Sequence, residues 1–384
     1  MYNGLMYTRL LNSPVQSSFF LFGSRGTGKT TWVKSKFPQA LYFDLLKAET
    51  YDYLVTNPTR LERSISPAFK DWIVIDEIQK IPALLDEVHR LIENKNYKFI
   101  LTGSSARKLR RGGTNLLAGR ALICNMHPLT AIELGEDFNL KDYIEFGGLP
   151  AVFAAQDKKN YLNSYIQTYL QQEIIQEGIS RNVGSFARFL ETASFSQGSV
   201  LNMTEVGRES YVGRKVVEDY FCALEDLMLG VRLPVFSKKA KRRLIKHNKF
   251  YFFDVGVYRA IRPTGPLDQP EVMGGVALES LFFQNLRAIN DYLNLGYKLY
   301  YYRTATGIEV DFVAYGSRGL KAFEIKSKKT ISQNDLIGLT TFLVDYPMTK
   351  CYMIYGGSQR MYFGNIEVIP FIDAIKNLPD ILDK

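Results

Sequence analysis

Gly23, Gly28, Lys29 and Thr30 stand at the spacing G-x-x-x-x-G-K-[ST]. The stretch between and after them is Ser24, Arg25, Gly26, Thr27 and Thr31. Residue types in this pattern can grip a polyphosphate. The loop turns its backbone N–H groups inward, and glycine is needed where a Cβ would block a close approach or an unusual dihedral angle. Lys29 would pair with β- and γ-phosphates. Thr30 would put its hydroxyl on Mg²⁺, and the helix that follows would aim its positive end at the anion. The expected cofactors are therefore ATP and Mg²⁺.

Two acids answer the loop. Asp76 and Glu77 follow Lys29 by 47 and 48 residues, room for one intervening strand–helix unit. Asp76 is placed to serve the metal, and Glu77 to polarise an attacking water as general base. Ser104 or Ser105 could sense the γ-phosphate or orient water. Arg120 could stabilise charge on a transferring phosphoryl group through its planar fork, in its own site or in that of a neighbouring subunit. It could equally be a surface arginine.

A second set lies far along the chain. Asp311, then Glu324-Ile325-Lys326, is an acid followed by acid-x-lysine. Two carboxylates can hold a divalent metal that polarises a phosphodiester and activates water, while Lys326 steadies the transition-state charge. Taken by spacing alone, a hairpin with a salt bridge from Glu324 to Lys321 or Lys328 is the favoured reading. Glu279 sits on a helix whose apolar side carries Leu278, Leu281, Phe282 and Leu286.

These side chains need elements to hold them. A Phe-rich apolar run at residues 17–22 predicts a buried strand ending at the loop. Residues 40–45, 71–76, 97–103 and 121–126 predict further strands, with an amphipathic helix over 81–93. Alternating strands and helices imply a parallel sheet covered on both faces. Residues 1–16 read as a leader that brings Arg9 near the nucleotide strand. Residues 136–183 read as helices, with a turn at Gly147-Gly148-Leu149-Pro150. A capped helix with Thr204 at its N-cap, a longer helix over 214–227 and two strands make a winged-helix layout. Between those strands, seven of the twelve residues from Lys238 to Lys249 are Lys or Arg, a segment suited to phosphate contacts or simply to solvent. Residues 263–270 read as a linker. Beyond them come a helix and strands over 299–303, 308–313 and 320–326. In the last of these Glu324 and Lys326 share a face, because the strand period is two. Asp311 and Glu324 converge only if their strands form a hairpin through Gly316 and Gly319.

Composition sets the frame. A chain of 384 residues has room for two or three cores. No apolar run reaches the roughly 18 residues of a membrane helix, and no signal-peptide pattern is expected at the N-terminus. Three widely separated cysteines, Cys124, Cys222 and Cys351, argue against a disulfide framework and for a reducing cytoplasm. The net charge of +9 favours a polyanionic partner.

Together, Gly23 to Thr30, Asp76-Glu77, the Thr102-Gly103-Ser104-Ser105 strand end and Leu117 to Arg120 with Pro128-Leu129 resemble a family of prokaryotic AAA+ ATPases. Its members carry a C-terminal region long labelled a domain of unknown function. The resemblance implies Walker A and Walker B motifs, a sensor-1 position at Ser104 or Ser105, and Arg120 as a candidate arginine finger. It also implies the helical lid and the winged helix. The far end resembles a PD-(D/E)xK nuclease core, with Val310 where the full signature has proline, and this resemblance implies Glu279 on the preceding helix as a third metal ligand beside Asp311 and Glu324. The expected fold class is α/β. An AAA+ P-loop parallel sheet spans 1–135 and a helical lid 136–183. A winged-helix segment spans 184–263, and a restriction-endonuclease-like α/β domain 271–384. The expected function is ATP hydrolysis coupled to a nuclease-like domain acting on DNA, with no membrane partner and with room for a homo-oligomer. The alternatives are a nucleotide-dependent switch or scaffold, and a DNA-binding regulator using the winged helix alone.

Overall fold

The computed structural model describes residues 7–14, 16–105, 109, 116–170, 182–238, 244, 247–265 and 268–383. The chain divides into two compact units. One comprises Leu11–His127 with the short segment Asp226–Met228. Its centre is a sheet of five strands, β1 (Ser18–Phe22), β2 (Leu41–Asp44), β3 (Trp72–Asp76), β4 (Lys98–Gly103) and β5 (Ala121–Asn125). They lie in the order β2-β3-β4-β1-β5, and every neighbouring pair is parallel. All five residues of β1 are buried, which is why it reads as a continuous apolar run and not as an alternating one. Phe20 and Phe22 stack 5.3 Å apart on one face of β1, against Ile75, Ile78, Leu85, Val88 and Leu101. Phe19 packs on Trp72 and Phe37 on the other. The helix Leu84–Lys95 covers the first of these faces.

Strand order decides where chemistry can sit. The chain leaves β1 for β2 and β3, returns to β4, and crosses β1 to reach β5. A crevice opens at the carboxyl ends of the strands where the order reverses. Gly23, Asp76, Glu77, Ser104 and Ser105 all follow or end strands at that edge.

The other unit comprises the chain up to Leu10, Pro128–Glu225 and Leu229–Lys384. Helices Val183–Ser194, Met203–Ser210 and Arg214–Asp226 accompany a small antiparallel sheet of β6 (Ser199–Val200), β7 (Gly230–Leu233) and β8 (Lys249–Phe252), in the order β6-β8-β7. Along the chain this is helix, strand, helix, helix, strand, strand. Phe186, Phe189, Tyr220, Phe221 and Phe250 form its aromatic core, with ring centroids 4.9–5.5 Å apart.

A six-stranded sheet follows, made of β9 (Lys298–Arg303), β10 (Glu309–Gly316), β11 (Gly319–Lys326), β12 (Lys350–Tyr355), β13 (Met361–Phe363) and β14 (Ile366–Pro370). Its order is β13-β14-β12-β11-β10-β9. The hairpin expected through Gly316 and Gly319 is present, with those two residues paired. Two helices cover the sheet. On one face Phe282 and Phe283 of the helix Pro270–Tyr292 pack on Phe312 and Phe323. On the other, Leu339 and Phe342 of the helix Ile337–Asp345 meet Val310, Val313, Ala322 and Met353.

Three local expectations are corrected. Arg9, expected near the nucleotide strand, belongs to the other unit. It donates to Glu133 at 2.9 Å and to the Tyr292 hydroxyl at 2.6 Å, since a buried guanidinium needs charged or polar partners. The helix at 203 is capped by Asn202, whose side chain accepts from the Glu205 N–H at 3.2 Å, and not by Thr204. The helix carrying Glu279 starts at Pro270, a residue suited to the first helical turn, so the end of the stretch expected to be linker is already helical. Residues 239–243 and 245–246 of the lysine-rich segment lie outside the described residues, as do 171–181 of the expected lid. Among the described residues no helix is long and apolar enough to cross a membrane.

Candidate functional site

The loop after β1 has the shape that its glycines permit. Gly26 and Gly28 have φ of 83° and 91°, in the left-handed region. A Cβ on Gly23 would lie 2.5 Å from the Met126 carbonyl oxygen. Lys29 is buried and donates to the carbonyls of Gly23 at 2.6 Å and Ser24 at 3.2 Å. Its ammonium thus spans the loop from inside. Thr27 donates to the Ser24 carbonyl at 2.8 Å, and the Ser24 hydroxyl to the Met228 carbonyl at 2.9 Å. Gly28 is the N-cap of the helix Lys29–Lys36. Arg25 and Thr31 are exposed.

The acids meet the loop. Thr30 donates its hydroxyl to Asp76 at 3.1 Å. Asp76 is buried and also accepts from the hydroxyls of Tyr42 and Thr102. Burial, then the Asp76 carboxylate, pushes the Tyr42 phenol well above its ordinary value, so Tyr42 is a permanent donor. The oxygens of Thr30 and Asp76 are hard ligands of the kind Mg²⁺ takes, and the pair fits that ion.

Glu77 takes a left-handed backbone, φ 62° and ψ 47°, which turns the chain sharply after β3. A non-glycine residue in that region is uncommon and is held there by its surroundings. Its N–H donates to the Thr102 hydroxyl at 3.3 Å. Its carboxylate accepts from the Gln79 side-chain amide, which also donates to the Ser104 hydroxyl at 3.1 Å. Gln79 is buried, and its Oε1 has no hydrogen-bond partner. That oxygen occupies the space a Cβ on Gly103 would need, at 2.6 Å. Neither Gln79 nor Tyr42 was singled out by sequence. Gln79 offered one signal, its position two residues beyond Glu77. Replacing Gln79 with alanine is expected to lower ATP turnover roughly tenfold or more while ATP affinity stays within about twofold, because Gln79 touches Glu77, the residue expected to act as base, and not the loop. Steady-state phosphate release beside equilibrium binding checks the split.

Arg120 is not brought to this loop. β5 pairs with β1 so that Ala121 lies opposite Ser18 and Asn125 opposite Phe22. Arg120 therefore stands just before the start of β1, opposite Ser17 and about 20 Å of strand from Gly23 at ~3.3 Å per residue. Its guanidinium pairs with Glu93. Action in its own site does not fit this placement.

The second set of candidates also converges. Asp311 accepts from the Ile325 N–H across the hairpin at 2.8 Å. Lys326 donates to Glu324 at 2.6 Å, the shared face expected from strand period. The Glu324 carboxyl is pushed well above its usual range by burial and by Asp311, against the pull of Lys326. Burial raises Glu279 to about 7, with Asp311 and Glu309 adding to the rise.

One residue in this cluster belongs by sequence to the lysine-rich segment suited to phosphate contacts or solvent, and the structure turns it inward instead. Lys249 begins β8, and its ammonium lies 3.4 Å from Glu279 and 3.7 Å from Asp311 and pairs with Glu309. Burial pulls its pKa down, but Glu279, Tyr251, Asp311 and Glu309 outweigh it and hold Lys249 well above the usual lysine range. Among the described residues, no group of three or more His, Cys, Asp or Glu is arranged to hold a metal ion. As folded, then, Glu279, Asp311 and Glu324 do not fit a metal. They come together, but around an ammonium.

Residues 16–135 match a family described as an AAA domain. Residues 137–268 match a domain of unknown function (DUF8612), and residues 274–373 another (DUF4143). The chain is similar to an uncharacterized protein of Mycobacterium tuberculosis, 25% identical over 371 residues, which cover 92% of this chain and 80% of the relative. An uncharacterized protein of Methanocaldococcus jannaschii is 24% identical over 270 residues, 64% of this chain and 58% of that one.

Proposed function

We propose that the protein binds ATP at the Gly23–Thr30 loop and hydrolyses it. One observation carries the reading: the Thr30 hydroxyl meets Asp76 at 3.1 Å at the strand edge where Glu77 also emerges. Lys29 exchanges its loop carbonyls for the β- and γ-phosphates. Thr30 and Asp76 hold Mg²⁺, and the chemistry it supplies when bound is neutralisation of phosphate charge. Glu77 takes the proton of the attacking water, and Gln79 with Ser104 keeps that carboxylate in place. Arg120, set at the far end of β1, is suited to a neighbouring subunit's site and not to its own. Phosphate release by the pure protein with ATP and Mg²⁺ tests the reading, and no release above background counts against it.

A second reading concerns what hydrolysis drives. We propose that residues 184–263 are a winged helix and residues 271–384 a nuclease-like core, together handling DNA. The helix, strand, helix, helix, strand, strand order supports the first. The Asp311–Glu324 hairpin under the Glu279 helix supports the second. Duplex binding is expected to weaken with salt, and changing Lys238, Lys239, Lys241, Arg242, Arg243 and Lys246 to alanine should flatten that salt slope. Fluorescence anisotropy across a salt series measures it. Equal slopes for the two proteins would sink the assignment of this segment to phosphate contact.

A further inference from the structure

We infer that Lys249 is a built-in cation standing in for a divalent metal ion in the Glu279–Asp311 cluster, and that the cluster takes up metal only when this ammonium is withdrawn. The inference rests on the geometry of the cluster and not on the ATPase reading. It deepens the nuclease-like reading by stating what controls that site.

The position of Lys249 is the first argument. Three carboxylates from two elements converge on its Nζ, Glu279 from the helix and Glu309 and Asp311 from β10. Its side chain is 2% exposed, so this is not a solvent-facing lysine that happens to reach an acid. Tyr251, two residues on along β8 and hence on the same face, donates to the same Glu279 oxygen that Lys249 approaches. The Tyr301 ring lies 5.6 Å from the ammonium. Such a set of neighbours holds one positive charge at one point.

Charge is the second. Glu279, Glu309, Asp311 and Glu324 face Lys249, Lys326 and Arg303, the last paired with Glu309 at 3.1 Å. Four acids against three bases leave a single negative charge when all are ionised. A divalent ion added beside Lys249 would reverse the sign and set two cations together in a poorly screened place. Exchanged for Lys249, the same ion would leave the cluster neutral once it has also drawn off any proton that burial holds on Glu324 and Glu279. Lysine and metal are therefore alternatives and not companions.

An independent pointer comes from Glu324. Its carboxylate is buried, Oε1 is held by Lys326, and Oε2 has no hydrogen-bond partner. Buried carboxylate oxygens are rarely left so unless a ligand can reach them. With Lys249 withdrawn, Glu279, Asp311 and Glu324 would offer an all-oxygen set of the kind hard divalent cations prefer.

The test is Mn²⁺ binding by the full chain without nucleotide, followed by the electron paramagnetic resonance signal of the free ion. Wild type is expected to show no Mn²⁺ site that Asp311→Asn removes. Lys249→Ala is expected to gain one such site, at least roughly tenfold tighter than anything wild type shows there. The double variant Lys249→Ala/Asp311→Asn should lose it. Ions held at Asp76 are common to all of these and cancel. Truncating Lys249 leaves buried carboxylates unpaired, so Lys249→Gln, which keeps the length and a donor, is run beside it. Thermal melts of both are recorded with and without Mn²⁺, and stabilisation by the ion beyond that of wild type, lost again when Asp311→Asn is added, supports the inference. A wild-type Mn²⁺ site that Asp311→Asn abolishes would overturn it. So would a folded Lys249 variant that gains none, or variants that fold neither with nor without the ion. Failure of ATP hydrolysis would leave all these outcomes unchanged.

Discussion

Replacing Lys29 with alanine is expected to abolish measurable ATP binding while leaving the fold in place. The Lys29 ammonium is buried within the loop, where it donates to two backbone carbonyls. Phosphate oxygens can replace those carbonyls, and the exchange is favourable because a phosphate oxygen meets the ammonium with a full negative charge where a carbonyl offers only a dipole. Hydrogen bonds to charged groups contribute about 1.5–3 kcal/mol each, so losing two of them weakens ATP by roughly a hundredfold or more. Stability should change much less, because the loop keeps its glycine geometry, the Thr27–Ser24 bond and the Ser24–Met228 bond. Isothermal titration with ATP and Mg²⁺, beside a thermal melt, separates the two effects. An affinity within threefold of wild type, on the same order as ordinary scatter between single contacts, would remove the loop from the nucleotide reading.

How far the sequence spoke depended on how local each feature is. The loop was legible because its parts are adjacent: a buried strand, glycines, lysine and threonine within one turn of chain. Asp76 and Glu77 were legible because an apolar run ending in two acids places them at a strand's carboxyl end. The Asp311–Glu324 hairpin followed from strand period and a glycine turn. Gln79 was hidden because its role depends on the left-handed turn at Glu77, which no residue type there announces. Tyr42 was hidden because it reaches Asp76 from a neighbouring strand, 34 residues away. Lys249 was misread. In a run dense with Lys and Arg it counts as one more solvated charge, yet it is the residue at which β8 begins and its side chain turns inward. Composition describes a segment's average and is blind to one member that a strand's pleat points the other way. Arg120 shows the converse. Its type suggested a role, but only strand register could say which end of the sheet it occupies.

Changing Glu77 to glutamine should separate binding from chemistry. Glutamine keeps the size of the side chain and can still meet Gln79, but it cannot accept a proton from water. General-base catalysis contributes about 10²- to 10⁴-fold, so single-turnover hydrolysis should fall by that much. ATP affinity should be nearly unchanged, since Lys29 and Thr30 bond to the loop and to Asp76 and not to Glu77. The strained backbone at Glu77 is indifferent to the exchange, because the cost of a positive φ falls on the Cβ, which both residues carry. Rapid-quench measurement of one turnover, paired with nucleotide binding, reads the two separately. Wild-type turnover in this variant would mean that another group accepts the proton. The partial loss expected of Gln79→Ala then becomes informative. If Gln79 acts only by holding Glu77, adding Gln79→Ala to Glu77→Gln should cost little more, since a positioning residue has nothing left to position. Two independent losses that multiply would instead give Gln79, through its unpartnered Oε1, a direct hold on the water.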